Sequence, residues 1–308
     1  MKNTCTIMLA AGKGTRMNAT KSKVLHEILA QPLIDYVTDV AHTVSSRTVA
    51  VIGHQREQVG PYLAARGIET VVQDPPLGTG HAVAQAEALL KDAQQADVLI
   101  IPGDMPLIRA ASIQRLIELY RAENATMGVL TAILPEPHGY GRIIRAADGR
   151  LERIVEQADA SEAEAAVSEV NTSVYVVKRE FLFEAVRNIK PNNKKGEYYL
   201  TDILAMADTV VASPTLEACE ASGINSQVQL AEAAGLMQAR INLAHQEAGV
   251  CIHDPLNAYI GPQVAIERDV TVWPGAQAYG RCLIGAGATL GPDCRLRDQD
   301  VAAGQVCG

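Results

Sequence analysis

Aromatic side chains are nearly missing from this chain: two Phe, one Trp and nine Tyr make up 4% of its 308 residues. A core of any size must therefore be built from Ala, Val, Ile and Leu. The six cysteines, Cys5, Cys219, Cys251, Cys282, Cys294 and Cys307, include no CxxC pair and no histidine at zinc-finger spacing, which argues against a metal cluster or redox pair. They read as small hydrophobes in a reducing compartment. No run approaches the roughly 20 apolar residues of a membrane span. The first apolar stretch lasts about seven residues before Lys13 and Arg16 interrupt it, short for a signal peptide, so a cytoplasmic location is expected. Positive charge is scarce as well. A net charge of −8 supplies no broad basic face for nucleic acid or an anionic membrane, so an anionic substrate must be met by local charge and a metal ion.

What is present is organised around Leu9-Ala10-Ala11-Gly12-Lys13-Gly14-Thr15-Arg16-Met17, with Lys21 and Lys23 shortly after. The stretch follows an apolar run, residues 4–9, that reads as a buried strand. Small residues leave the backbone amides of the turn uncovered, and four cations surround it, so the loop suits a polyphosphate. Two better-known loops do not fit. The dinucleotide fingerprint needs a third glycine where Met17 stands, and the Walker loop needs glycine at Ile7 and Ser or Thr directly after Lys13.

At this length two domains are expected. In the first, short β-branched runs at 48–52, 69–73 and 97–101 alternate with helical patterns at 33–41, 55–65, 80–90 and 110–123, which implies an α/β fold with a doubly wound, mostly parallel sheet. Ligands then lie beyond the carboxyl ends of the strands. Gln73 and Leu77-Gly78-Thr79-Gly80 stand at one such end: Gln73 is either a surface polar residue or a reader of a base edge, and Thr79 can cap the next helix. Asp104, after Pro102-Gly103, is placed to hold Mg²⁺ and lies too far upstream to cap the helix from Ala110. Glu156 and Asn171 interrupt apolar strands, either at a solvent edge or facing a hydroxyl-rich ligand. Thr201 reads as the cap of a helix over 201–209. Asn225 is a cap or a second metal ligand ahead of a long amphipathic helix over 226–246.

From Ala258 the chain repeats every six residues: AYIGPQ, VAIERD, VTVWPG, AQAYGR, CLIGAG, ATLGPD, CRLRDQ, DVAAGQ. Third positions are apolar throughout, and first positions are small or β-branched until Asp300. This is the hexapeptide pattern of a short left-handed parallel β-helix. The boundaries read as 1–225, a connecting helix over 226–249, and a partial β-helix over 250–308.

L-A-A-G-x-G-T-R-M followed by K-x-K-V-L resembles the sugar nucleotidyltransferases. The further order K-V-L-H, L-G-T-G-H-A, G-D-x-P-L, G-Y-G-R-I, V-E-x-x-D-A, N-T, G-E-Y-Y-L-T-D and G-I-N, then hexads, resembles the bacterial bifunctional N-acetylglucosamine 1-phosphate uridylyltransferase and glucosamine 1-phosphate acetyltransferase family. That resemblance implies that Leu9, Ala10, Ala11 and Gly12 with Gln73, Gly78 and Thr79 bind the uridine of UTP, and that Arg16 and Lys23 are the catalytic cations on the triphosphate. It implies that Asp104 and Asn225 hold Mg²⁺, that Gly141, Glu156, Asn171 and Thr201 hold N-acetylglucosamine 1-phosphate, and that the chain trimerises through the β-helix. Ser173 departs from it, standing where glycine usually follows N-T. Acetyl transfer is expected to be absent, because the family builds that site from later coils. The competing readings are the same chemistry on another sugar phosphate or nucleoside triphosphate, and a non-catalytic nucleotide-sensing trimerisation module.

Overall fold

The computed structural model describes residues 3–308. The chain divides into two compact units, one of residues 1–25 and 34–223, the other of residues 26–33 and 224–308.

The first unit is built on nine strands: β1 Thr4–Ala10, β2 Arg47–Ile52, β3 Glu69–Val72, β4 Asp97–Pro102, β5 Met127–Ile133, β6 Arg142–Arg145, β7 Leu151–Val155, β8 Glu169–Lys178 and β9 Val210–Pro214. Their order is β9-β5-β8-β4-β1-β2-β3, with β6 paired to β8 and β7 to β6. β4-β1-β2-β3 are parallel, as βαβ crossovers require. The sheet as a whole is mixed rather than mostly parallel. β8 runs antiparallel to both β4 and β5, because the chain reaches it through the β6–β7 hairpin and not through a crossover helix.

Alternation along the central strands sends side chains to both faces. Ile7, Val98 and Ile100 join one core, under helices α3 Thr79–Gln85 and α5 Arg179–Asn188. Met8, Leu99 and Ile101 join the other, under α1 Leu33–Val44, α2 Arg56–Ala64 and α4 Ala110–Ala122. Both faces are covered, which is why these strands read as unbroken apolar runs. The segment expected as helix 201–209 is a 3-10 helix over Leu200–Met206, preceded by Tyr199 with no side-chain cap, so Thr201 is not its cap.

In the second unit, α6 Gln227–Glu247 is capped by Ser226, whose Oγ accepts the Gln229 amide at 3.2 Å, so Asn225 is not the cap. The helix is not amphipathic. Val228, Leu236 and Leu243 are exposed, while Gln238 and Asn242 are buried and donate to the carbonyls of Pro255, Leu256 and Ala258. After it, strands of two or three residues form three short parallel sheets, pairing Tyr259 with Gln277 and then Arg295, Val264 with Cys282, and Thr271 with Thr289. The step between rungs is thus three hexads. Ala258, Ile260, Val270, Val272, Ala276, Ala278, Cys282, Ile284, Ala288 and Leu290 fill the interior. The last hexad slips: Val301 is buried and Ala302 exposed, and Asp300 turns outward to accept the Leu283 amide at 2.7 Å.

One buried charge ties the back of the first unit together. The Glu220 carboxylate is fully buried and accepts hydrogen bonds from Arg109 N at 2.9 Å, Ser112 Oγ at 2.9 Å and Glu217 N at 3.0 Å, which serves the otherwise uncapped start of α4. Glu220→Ala leaves three donors unmet and is expected to cost about 3 kcal/mol, with Glu220→Gln costing less, read as the shift in a urea unfolding midpoint.

Candidate active site

The carboxyl ends of β4, β1, β2 and β3 lie side by side and carry the loop, the base-edge candidate and the acidic candidate. After β1 the chain turns at Gly14, whose φ of +57° is left-handed and whose added Cβ would come within 2.9 Å of Lys23 Cβ, so no other residue fits there without strain. Gly12 is exposed, with open space where a Cβ would be. Leu9 is half-buried, and Ala10 and Ala11 are buried. Arg16 stands exposed on the short 3-10 helix Thr15–Met17. Lys23, on the next such turn, donates to Asp104 Oδ2 in an ion pair whose two side chains are only 11% and 16% exposed. Asp104 reaches it because the Gly103 amide donates to Leu9 O at 2.8 Å, which ties the end of β4 to the end of β1.

Gly53, absent from the sequence-based candidates, joins the loop to the base-edge candidate. A Cβ there would meet Ala11 Cβ at 3.0 Å and Gln73 O at 3.1 Å. Gln73 is 6% exposed, and its amide nitrogen lies 2.9 Å from Gly78 O and 3.2 Å from His81 Nδ1. A carbonyl can only accept, so the amide orientation is set: both hydrogens are used inside the chain, and Oε1 is the atom left for a ligand. Gln73 therefore presents an acceptor, not the donor and acceptor expected from its side chain alone.

Residues 77–80 are laced to residues 198–200. Tyr198 N donates to Leu77 O and Gly80 N to Tyr198 O, both at 2.8 Å, and a Cβ on Gly78 would strike the Tyr198 backbone at 2.7 Å. Thr79 does not cap α3. Gly78 holds the cap position without a side-chain bond, and the Thr79 hydroxyl crosses to accept the Leu200 amide at 3.1 Å. Thr201, buried, follows directly.

The structure brings three of the four sugar-site candidates to one place. A Cβ on Gly141 would lie 3.5 Å from Glu156 Oε1 and 3.6 Å from Asn171 Cβ, and the Asn171 amide donates to Gly141 O at 2.9 Å. Burial raises the phenol of Tyr140, the residue before Gly141, and the charge of Asp104 adds to this. Asn171 Nδ2 donates to the buried Tyr175 hydroxyl at 2.6 Å, and its Oδ1 accepts Ser173 N at 3.0 Å. Ser173 sits at a bulge in β8 with φ +64°, a left-handed conformation that explains why glycine suits the position.

Two side chains here escaped sequence reading. The Tyr199 hydroxyl is buried without a partner, and burial, with Asp159 and Glu156 nearby, raises it to about 12. Arg142 is fully buried and is taken up below. Both lie inside quoted motifs, G-E-Y-Y-L-T-D and G-Y-G-R-I, but only the packing shows which tyrosine turns inward and that the arginine does. Asn225 belongs to the other unit, where its backbone amide donates to Gln229 Oε1 at 2.8 Å.

The model of the MobA-like NTP transferase domain matches residues 6–169. The chain belongs to this family. It is a nucleotidyltransferase. Curated relatives include the bifunctional protein GlmU of Thermoanaerobacter pseudethanolicus, 41% identical over 308 residues and covering 99% of this chain and 67% of the relative. The GlmU of Geobacter sulfurreducens is 43% identical, covering 94% and 62%. The chain thus spans about two thirds of the length of these relatives. Among solved structures, a UDP-glucose pyrophosphorylase complexed with UDP-glucose superposes with a TM-score of 0.62 over 80% of this chain at 21% identity, a likeness of fold.

Burial lifts the Glu156 carboxyl above the usual carboxylate range; Lys195 opposes this, and Asp159, Asp202 and Glu197 add to it. With its folded pKa raised, Glu156 favours the folded state below its unfolded pKa, and this contribution is lost as pH rises through the folded value. For the sugar contact that the resemblance implies, the sign is opposite, because a carboxylate accepts a hydroxyl better than the neutral acid does. KM for the sugar substrate is expected to climb as pH falls towards that raised pKa, and Glu156→Gln to flatten this limb, in initial-rate pH profiles. At position 173, Gly is expected to stay within about 1 kcal/mol of Ser, while Ser173→Val, β-branched at positive φ, costs about 2 kcal/mol or more in thermal unfolding.

Proposed function

We propose that this chain is a uridylyltransferase that makes UDP-N-acetylglucosamine and pyrophosphate from UTP and N-acetylglucosamine 1-phosphate. The observation that carries the reading is a pair of clusters: Gln73 with the loop over 9–16 and the Lys23–Asp104 pair at the strand ends, and Gly141 with Glu156 and Asn171. A nucleotide needs a base reader, cations and a metal ligand in that order, and a sugar needs a polar pocket beside them. Gln73 Oε1 accepts N3–H of uracil; cytosine has no proton there and leaves the acceptor unpaired. Gly141 lacks the side chain that would fill the space against Glu156, whose carboxylate accepts a sugar hydroxyl.

In the reaction a phosphate oxygen of the sugar phosphate attacks the α-phosphorus in line. The new P–O bond forms as the α–β bridging bond breaks and pyrophosphate leaves, so no covalent enzyme intermediate is needed and the chain contributes positioning and charge. Lys23 and Arg16 neutralise the triphosphate. A cation about 4 Å from a phosphate oxygen contributes roughly 4 kcal/mol at an effective dielectric near 20, before desolvation. No cluster of three acidic, His or Cys residues that could cage a metal exists among the described residues. The donor set fits Mg²⁺ all the same, because this ion takes one or two carboxylates and completes its shell with phosphates and water. Asp104 would hold it. When bound, it supplies charge neutralisation at the triphosphate.

We further infer that residues 250–308 form part of a left-handed parallel β-helix through which three copies associate. The three-hexad rung step supports the coil, and the exposed Leu256, Trp273, Leu283 and Val306 support a covered surface.

The deciding experiment measures pyrophosphate release over UTP and CTP with several sugar 1-phosphates. UTP with N-acetylglucosamine 1-phosphate is expected to lead, by about 10² over CTP. Equal rates with CTP, or a different preferred sugar, would sink the reading. Lys23→Ala is expected to lower kcat by about 10²–10³, and Asp104→Ala to remove the response to added Mg²⁺.

A further inference from the structure

Arg142 is among the largest fully buried side chains of the described residues, and no carboxylate lies among its hydrogen-bond partners. Burying a guanidinium without a counter-charge is costly, and desolvation pulls this one below its ordinary pKa. A salt bridge therefore does not explain its presence. Its bonds go instead to three separate pieces of chain. Nη1 donates to Tyr140 O, Nε to Ala165 O at 3.2 Å at the end of the short helix Glu162–Ala165, and Nη2 to Gln157 Oε1 at 2.9 Å. Gln157 Oε1 also accepts the Gly139 amide at 2.9 Å.

The residues it grips flank those of the sugar pocket. Tyr140 precedes Gly141, and Gln157 follows Glu156. Backbone pairing holds the same region from the other side, through Arg142 with Val155 on β7 and with Val170 on β8, beside Asn171. The separation between Gly141 and the Glu156 carboxylate is thus set by one planar fork that spans turn, strand end and helix end.

We infer that Arg142 is a positioning residue for the sugar 1-phosphate, setting the gap between Gly141, Glu156 and Asn171 without touching substrate. The inference rests on the uridylyltransferase reading. Lysine keeps the charge but has one nitrogen where the guanidinium has three, so it cannot span the three acceptors in the same fixed geometry. A misplacement on the order of 1 Å at a substrate-positioning residue can cost about 10²-fold.

The test measures KM for each substrate separately in Arg142→Lys and Arg142→Met, on protein shown folded by circular dichroism. It uses the sugar 1-phosphate that the wild-type chain turns over fastest. Both variants are expected to raise KM for the sugar 1-phosphate tenfold or more while leaving KM for the nucleoside triphosphate within twofold. Glu156→Ala combined with Arg142→Lys is expected to lose no more than Glu156→Ala alone, because the arginine acts through that carboxylate. Unchanged KM values, or a rise in both together, would overturn the positioning role and leave Arg142 a stabilising residue. A variant that does not fold while its Lys counterpart shows a wild-type sugar KM overturns it as well. A wild-type chain that turns over a different sugar phosphate defeats the N-acetylglucosamine assignment without touching the Arg142 role; one that turns over none defeats both.

Discussion

Parallel pairing of β1 with β4 on one side and β2 on the other is the constraint on which the site depends. Its register puts Leu9 opposite Pro102 and Ala10 opposite Ile52, so three strands finish at one level. From there the Gly103 amide reaches Leu9 O, and Gly53 fits between Ala11 and Gln73. A slip of one residue would exchange the side chains of the two cores between the faces of the sheet and shift Asp104 relative to Lys23. The two apolar cores over the faces of the sheet hold this register, which is why helices far from any ligand bear on the chemistry.

Buried polar groups do the locking that hydrophobic contact cannot. Hydrophobic burial is non-directional and fixes which face is in, not which atom points where. Glu220 gathers the start of α4, Ser112 and the turn at 217, and Arg142 gathers the turn at 140, Gln157 and Ala165. Gln73 is a smaller case, in which Gly78 and His81 use up both amide hydrogens and turn a two-way reader into an acceptor. In all three the directional bonds are made inside the protein before any ligand arrives, which is what preorganisation requires.

The second unit works by repetition instead of by hubs. Each rung rests on the one three hexads earlier, and the interior is filled by small and β-branched residues, so a single slipped hexad at Asp300 is absorbed locally with Val301 taking the interior place. Its helix α6 leaves Val228, Leu236 and Leu243 in the open and buries Gln238 and Asn242, whose amides serve carbonyls of the following turn.

Much of this was written in the one-dimensional pattern, because the features concerned are local or periodic. The opening loop, the alternation of strands and helices, Asp104 after a strand and the six-residue period each depend on residues close together in the chain. The antiparallel entry of β8 was not legible, since it depends on how the chain returns to the sheet after the β6–β7 hairpin. The cap read at Thr201 does not form, and Thr79 and Asn225 do not take the cap positions open to them, for a related reason: a hydroxyl or amide near a helix start serves whichever backbone group the fold brings nearest, and for Thr79 that is Leu200, far along the chain. Tyr199 and Arg142 went unseen because burial belongs to the packed state, not to the residue. The sequence by itself determined which chemistry is available and roughly at which strand ends. Only the tertiary structure decided which atoms face a ligand, because orientation is set by hydrogen bonds between segments that meet only once the sheet has closed.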